Sequence, residues 1–303
     1  MPESLQPFET QREALAEKLG LKAQWELQVK ALNEAGVLEI LPESEDLGII
    51  GIDGKEYPIP TYEQIIESIT PEKAELLEHK LEQGFSRLLL TPFAMPLDLL
   101  IERYKRLLLL KHKQGELLSA QGEPLPLNED DPLYKWEGYS GADVNGTLVY
   151  YPEQFDGENH QGKTKQELID QGNSWEAALV EDMPDLPAQG AGQTLAGRKQ
   201  FEANQTPNEY LETIQTNESY QHEQGFTPES WLTYAITKLQ QENQQIDDYE
   251  GQGKACYNIG SYLPADSCVS YCGFCRRVRL ALLDGLDPDF RYEFYSARSS
   301  VKI

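Results

Sequence analysis

The segment from Ala255 to Tyr292 contains no Glu, Lys, Gln, Met or Trp, although these five residue types make up about a third of the chain before it. The segment instead offers short runs of strand-forming residues, with turn pairs at Asp284-Gly285 and Asp287-Pro288. We therefore expect only short strands and turns after Gly251.

The missing residue types share one property, which is that none of them is encoded by a codon ending in a pyrimidine. The run SCVSYCGFC (267–275) is crowded with Ser, Tyr, Cys and Phe, which are the residues of codons that begin with T and end in a pyrimidine. This pattern is expected where Asn codons have had both adenines randomised. The alternative is a β-rich segment that avoids long polar side chains by chance.

The charge of the chain limits its partners, and its apolar segments limit its location. The net charge is −25 over 303 residues, which argues against a nucleic-acid partner. The start, MPESLQPFETQREALAEK, resembles no signal peptide, and charged residues interrupt the most apolar stretch, 87–110. We therefore expect no membrane span, a cytoplasmic location and reduced cysteines.

The first part of the chain has the pattern of a mostly helical domain. Helical spacing predicts a helix from Leu21 that ends near Gly36, one that begins at Thr70-Pro71, and one over residues 97–113. The pair Asp53-Gly54 predicts a hairpin between them. The leucines of 97–113 indicate core packing, with an oligomerisation helix, and so a homo-oligomer through the N-terminal helices, as the alternative.

A polar, proline-rich stretch near residues 121–132 marks a domain boundary, dividing the chain into 1–125 and 126–303. Beyond it we predict a strand in NGTLVYY (145–151), a short helix in 163–172 and a clear helix over 228–241 capped by Thr227. The run SWEAALVED (174–182) is ambiguous between helix and strand. The fold class is thus α+β.

Residues 157–164, GENHQGKT, match the phosphate-loop pattern, in which Lys163 would contact the outer phosphates and Thr164 would bind Mg²⁺. Such a loop should leave a buried strand directly, but Pro152, Glu153 and other polar residues intervene. The competing interpretation is a solvated loop that caps a helix. A nucleotide-binding protein therefore stays open as an alternative function.

Four cysteines, Cys256, Cys268, Cys272 and Cys275, allow a second alternative, a zinc protein. Only Cys272 and Cys275 form a C-x-x-C pair, whereas a structural zinc site usually has two pairs. A redox C-x-x-C should begin a helix in a thioredoxin-like βαβ unit, and the sequence shows none. No Ser-His-Asp or Cys-His arrangement can be assembled from these residues either.

The C-terminal segment resembles the variable region of proteins diversified by retroelements, in which adenine-directed randomisation alters the end of a C-type lectin fold related to the formylglycine-generating enzyme module. The ending RRVRLALLDGLDPDFRYEFYSARSSVKI follows that module's outline, with Asp287-Pro288, Arg291 and Ala297-Arg298 in matching places. Ser296 stands where Gly is usual. The resemblance covers about residues 131–303, and it implies that the strand at 146–151 pairs with the last strand.

The resemblance implies a C-type-lectin-like domain over 126–303 with a variable region at about 255–298. Fixed positions should be buried or salt-bridged: Arg276, Ala281, Leu283, Pro288, Arg291, Ala297 and Arg298. Varied positions should face solvent and bind the ligand: Cys268, Ser270, Tyr271, Cys272, Phe274, Cys275, Val278, Arg279, Leu282, Leu286, Phe290, Tyr292, Phe294 and Tyr295. Tyr, Phe and Arg suit recognition of a protein partner. The function that the resemblance implies is ligand binding without catalysis, with no metal and no cofactor.

Overall fold

The structure, a computed structural model, describes residues 6–249 and 253–303. Residues 1–5, where the predicted N-terminal domain begins, and residues 250–252, which include the predicted start of the strand-rich region at Gly251, lie outside the described residues. The α-helices are α1 (Gln6–Leu19), α2 (Leu21–Glu34), α3 (Tyr62–Glu67), α4 (Pro71–Glu82), α5 (Leu97–Gln114), α6 (Lys165–Asp170), α7 (Pro207–Thr216) and α8 (Pro228–Glu242). 

The strands in the described part of the chain are mostly short, and four of them span six or seven residues. They are β1 (Glu39–Ile40), β2 (Leu47–Ile50), β3 (Glu56–Pro58), β4 (Phe85–Thr91), β5 (Leu133–Lys135), β6 (Val149–Tyr150), β7 (Lys163–Thr164), β8 (Glu176–Glu181), β9 (Thr194–Leu195), β10 (Arg198–Lys199), β11 (Glu223–Gly225), β12 (Asp248–Tyr249), β13 (Ala255–Tyr257), β14 (Ser261–Tyr262), β15 (Val269–Cys275), β16 (Leu280–Leu286), β17 (Tyr295–Ala297) and β18 (Ser299–Lys302).

Two sheets dominate the mixed α/β architecture. The first, here the shared sheet, is antiparallel with the order β11-β18-β8-β4. The second, here the C-terminal sheet, has the order β17-β13-β15-β16-β5, and β12 also pairs with β15. The hairpin β15–β16 is the longest antiparallel pair in the C-terminal sheet, and its alternating side chains decide what that sheet presents to solvent.

Helix α8 packs between the two sheets. It contacts β4 of the shared sheet and β15 of the C-terminal sheet, as well as α2 and α5. Every side chain from Pro228 to Leu239 is buried, which is the pattern of a helix enclosed on all sides. The Thr227 hydroxyl accepts a hydrogen bond from the Ser230 backbone N–H, and Pro228 occupies the first turn. The predicted helix and its cap are confirmed.

Strand β4 joins the two predicted domains. It lies in the N-terminal part of the sequence yet pairs with β8 over Phe85–Thr91. The side-chain amides of Gln24 and Gln28 on α2 bond to the backbone of Ser86 and Leu88, so they satisfy the free edge of β4 in place of another strand. One cluster of buried apolar side chains runs from Leu15 to Ile303. The predicted boundary at residue 125 therefore lies inside a continuous core.

Local predictions in the N-terminal part are confirmed. Helix α2 ends at Glu34, α4 begins after the Thr70 cap, and the hairpin β2–β3 forms around Asp53-Gly54. The leucine face of α5 packs in the core, with Tyr104 and Leu108 fully buried, as the core-packing interpretation expects. An oligomer through the N-terminal helices stays a prediction. No helix in the described part of the chain combines the length and apolar character needed to cross a bilayer.

One predicted pairing is wrong. The strand predicted at 146–151 forms as β6, but it pairs with β14 and β7 and not with the last strand. The last strand, β18, instead lies between β8 and β11. The ambiguous run at 174–182 is the strand β8, and its burial on both faces explains why it lacks the alternation of a half-buried strand. Helix α6 occupies Lys165–Asp170 within the predicted 163–172.

Candidate ligand-binding surface

The hairpin β15–β16 has two chemically different faces. Its inner face carries Cys272, Phe274, Ala281 and Leu283, which are all buried in the main core. Its outer face carries Tyr271 and Cys275 on β15 and, opposite them in register, Asp284 and Leu280 on β16. We call outer face the set of side chains that share this side of the sheet or stack against it: Tyr134, Tyr271, Leu280, Leu282, Asp284, Leu286, Phe290, Tyr292, Phe294 and Tyr295.

The predicted solvent-facing positions divide by this alternation. Four are exposed, with Val278 at 46%, Phe290 at 42% and Tyr292 at 38% of full exposure, together with Arg279. Four more are half-buried: Cys268, Leu282, Leu286 and Phe294. The remaining six are buried, so the prediction that they face solvent is wrong: Ser270, Tyr271, Cys272, Phe274, Cys275 and Tyr295.

The six buried positions are buried for two different reasons. Ser270, Cys272 and Phe274 are even-numbered residues of β15 and therefore point into the core beneath the sheet. Tyr271, Cys275 and Tyr295 lie on the other side, within a second apolar cluster built largely from aromatic rings. Only the first three are inaccessible because of their place on the strand, since the others are covered by neighbouring side chains of the same face.

Tyr295 is the centre of the aromatic cluster. Its ring stacks on Tyr271 with centroids 4.9 Å apart and meets Tyr292 edge-on at 5.2 Å. Tyr257 and Tyr249 also contact it edge-on, at 5.2 and 5.9 Å. Such pairs add to the free energy of apolar burial because ring edges and faces carry opposite partial charges. The cluster thus fixes the position of Tyr292, which is the exposed member.

The segment 287–294 that carries Phe290 and Tyr292 is tied to the body of the protein. The Tyr257 hydroxyl donates to the Phe290 carbonyl at 2.9 Å. The Arg291 guanidinium donates to the Asn204 carbonyl at 3.0 Å and pairs with Glu209 at 2.5 Å. The exposed rings are therefore presented on an anchored loop, which reduces the entropy lost when a ligand binds.

A single carboxylate interrupts the apolar outer face. Asp284 lies between Leu282 and Leu286 on β16, and its Oδ2 accepts a hydrogen bond from the Tyr271 hydroxyl at 3.3 Å. Burial raises the pKa of Tyr271, and the neighbouring Tyr295 and Asp284 raise it further. The phenol is therefore held neutral, as a donor toward the carboxylate.

The residues predicted to be fixed occupy the structural positions expected of them. Ala281, Leu283, Pro288 and Ala297 are buried. Arg298 is buried and paired with Asp247 at 2.5 Å, and Asp247 also accepts a hydrogen bond from the Trp231 indole at 2.7 Å. Burial opposes the charge on Arg298, but the Asp247 carboxylate outweighs it and raises the pKa of the guanidinium.

Two more of these arginines hold the edges of the segment. Arg276 pairs with Asp248 at 2.6 Å, and Arg291 pairs with Glu209. Asp247 and Asp248 are adjacent, so one short stretch of backbone anchors both Arg276 and Arg298. Whether these positions are fixed in evolution is untested, but their burial or salt bridging is confirmed.

The cysteines do not converge. Cys256 and Cys272 are directly opposite each other on β13 and β15 in the inner core, whereas Cys275 lies in the outer cluster. The three-residue spacing of C-x-x-C puts its two sulfurs on opposite faces of a strand, so they cannot chelate one metal ion. Among residues 6–249 and 253–303, no group of three or more His, Cys, Asp or Glu is arranged to hold a metal.

The phosphate-loop motif lies in a turn between two antiparallel strands. β6 and β7 pair with each other, so residues 151–162 connect a hairpin and do not lead from a parallel strand into a long helix. The Thr164 hydroxyl caps the six-residue helix α6, and Lys163 contacts Gln171 at 2.9 Å. The solvated, helix-capping interpretation is confirmed, and the geometry that nucleotide binding needs is not formed.

Sequence reasoning missed several outer-face residues. Tyr134 on β5 is 41% exposed and stands beside Leu282 in the parallel pairing of β5 with β16. Asp284 was not predicted to be part of the site, although it belongs to the same alternate row as Leu282 and Leu286. A period of two along β16 could have identified Asp284. Nothing in the sequence indicates that β5 joins this sheet.

Comparison with protein-family models, curated proteins and solved structures finds no match to this chain.

Proposed function

We propose that this chain is a non-catalytic binding protein that recognises a protein partner through the outer face, on a C-type-lectin-like domain diversified by a retroelement. One observation carries the proposal: a sheet face and loop rich in aromatic and aliphatic side chains come mostly from the segment that lacks Glu, Lys, Gln, Met and Trp. Exposed apolar surface of this kind marks an interaction site.

The distribution of exposed apolar residues supports this location. Eight large hydrophobic side chains are exposed in the described part of the chain. Phe290, Tyr292 and Tyr134 belong to the outer face, and Val278 lies in the turn that joins β15 to β16. Aromatic rings supply large contact area at a low cost in side-chain entropy, which suits recognition of many different partners.

The gene provides the test of diversification. We would sequence the DNA that encodes residues 255–303 together with its neighbourhood, and the same locus in many cells. The proposal expects a near-copy of the segment beside a reverse transcriptase gene, with differences only where the copy has adenine. Substitutions should concentrate at codons for Leu282, Leu286, Phe290 and Tyr292.

Codons for Ser270, Cys272 and Phe274 serve as the internal control, because their side chains fill the core and should not vary. A locus with no near-copy would end the diversification proposal and make the unusual composition a coincidence. Substitutions as frequent at these three codons as on the outer face would show that the outer face is not the diversified surface.

A further inference from the structure

The outer face, as defined above, contains one acidic residue. Asp284 is half-buried, and its two hydrogen-bond donors, the Tyr271 hydroxyl and the Gly285 backbone N–H, are both neutral. Within the described residues, no Lys or Arg forms an ion pair with it. A ligand that covered this carboxylate with apolar groups alone would desolvate a charge without compensation, which is unfavourable.

Two more carboxylates lie at the same end of the face. Asp266 and Asp287 are exposed, and neither forms an ion pair among the described residues. Both act with Asp284 on Cys268, whose pKa is raised first by burial and then by these three charges. This end of the outer face is therefore negative.

The arginines of the segment do not neutralise this end. Arg276, Arg291 and Arg298 are engaged with Asp248, Glu209 and Asp247. Arg277 and Arg279 lie in the turn between β15 and β16, and Arg279 is five residues and about 16 Å along the strand from Asp284. That separation is roughly twice the Debye length of about 8 Å at physiological ionic strength, so the two charges are largely screened from each other.

We infer that the partner is a basic protein segment that places a Lys or Arg side chain against Asp284 and apolar side chains against Leu282, Leu286 and Tyr292. This inference rests on the proposed binding function and adds the chemical class of the ligand. The net charge of −25 acts in the same direction, because it attracts a cationic partner and accelerates the encounter. A sheet face with exposed rings fits a protein segment, and its negative end disfavours nucleic acid.

The test is a selection with the full-length chain against a phage-displayed library of random dodecapeptides. A member of a diversified repertoire has no single partner that must be known beforehand, so a random library is a fair probe. Two variants report on the face: Asp284→Asn removes the central charge, and the double variant Phe290→Ser/Tyr292→Ser removes the exposed rings. Asp46→Asn, at an exposed turn near β2, is the matched control for loss of one charge.

The inference predicts that peptides selected by the unaltered protein are enriched in Lys or Arg beside aromatic or aliphatic residues. Their Kd should rise at least tenfold with Asp284→Asn and less than twofold with Asp46→Asn, and the difference should shrink as salt is raised. Urea unfolding of each variant shows whether it is folded. A folded Asp284→Asn variant that binds the same peptides equally well would overturn the inference.

The two proposals fail in different ways. Selected peptides without basic residues, whose binding is lost in the Phe290→Ser/Tyr292→Ser variant, would overturn the basic-partner inference and leave the outer face as the binding surface. Peptides that bind this double variant as well as the unaltered protein would overturn both, because the outer face would then take no part in recognition.

Discussion

The inner and outer faces of the β15–β16 hairpin come from the same fourteen strand residues, yet they differ in what a substitution would do. Inner side chains such as Phe274 and Leu283 pack in the main core and are fully buried. Outer side chains such as Leu282 and Leu286 keep part of their surface in water. Alternate residues of one stretch therefore meet different surroundings, and we expect substitutions to be costly on the inner face and tolerated on the outer face.

The largest effect is expected in thiol reactivity, which separates the buried inner face from the partly exposed segment before β15. Cys272 on the inner face is fully buried and Cys268, before β15, is partly exposed. Labelling of Cys272 in the native protein requires the strand to open. Core strands open at a free energy close to that of global unfolding, which is about 5 kcal/mol or more for a typical domain. We therefore expect maleimide to modify Cys268 at least about a thousandfold faster, as measured by peptide mass spectrometry.

The rate at which maleimide labels Cys268 should increase with pH. The thiolate is the reactive form, and burial together with Asp266, Asp287 and Asp284 raises the pKa of Cys268. Labelling should therefore be slow at neutral pH and accelerate as the pH rises through this raised pKa. Asp284→Asn removes one of the charges and should speed the reaction at neutral pH. Equal labelling of Cys268 and Cys272 in native protein would contradict the burial of the inner face.

A large effect on stability is expected from Phe274→Ala. Phe274 is fully buried on the inner face, and truncating a buried Phe removes apolar burial and leaves a cavity, at a cost of about 3–5 kcal/mol. The matched outer-face change, Tyr292→Ala, should cost less, about 1–2 kcal/mol, because its ring is partly in water but packs edge-on against Tyr295. Urea denaturation monitored by circular dichroism measures both. Similar losses in the two variants would mean that the faces are not distinct.

A smaller loss is expected from Cys272→Ser. The substitution keeps the size of the side chain but puts a hydroxyl in an apolar core, where only the Asn258 amide, now 2.9 Å from the sulfur, lies within reach. The cost should be about 1–3 kcal/mol, against about 0.5 kcal/mol or less for Cys268→Ser. If Cys272→Ser were as stable as the unaltered protein, position 272 could vary freely and would have to be returned to the diversified set.

The same comparison explains how far sequence reasoning could go. Helices α2, α4, α5 and α8 were predictable because their caps and apolar spacing are local, as the Thr70 and Thr227 caps show. The pairing of β4 with β8 was not, since it joins residues nearly a hundred positions apart. The sequence does not distinguish the two faces of β15 either, because the residues on both are apolar or aromatic. Cys272 and Phe274 lie on one face, and Tyr271 and Cys275 lie on the other. Alternation locates a core only when one face is polar.

The smallest effect is expected at the anchor of the exposed loop. The Thr206 backbone N–H and the Arg291 guanidinium hold the pKa of Glu209 below its usual range. Because the folded pKa is lowered, this stabilisation is present above the unfolded pKa and is lost as the pH falls through the folded pKa. The side chains of Arg291 and Glu209 are 49% and 41% exposed, so Glu209→Gln should cost less than about 1 kcal/mol at neutral pH.

Glu212→Gln, one turn further along α7, is the matched control and should change neither stability nor binding. The loss from Glu209→Gln should shrink on acidification, because protonation already removes the charge in the unaltered protein. Its effect on binding should exceed its effect on stability, since Arg291 lies between Phe290 and Tyr292 and orders the segment that carries both rings. Weakened peptide binding by Glu209→Gln at unchanged unfolding midpoint would show that the outer face depends on a pre-ordered loop, whereas unchanged binding would show that the aromatic stacking around Tyr295 orders it alone.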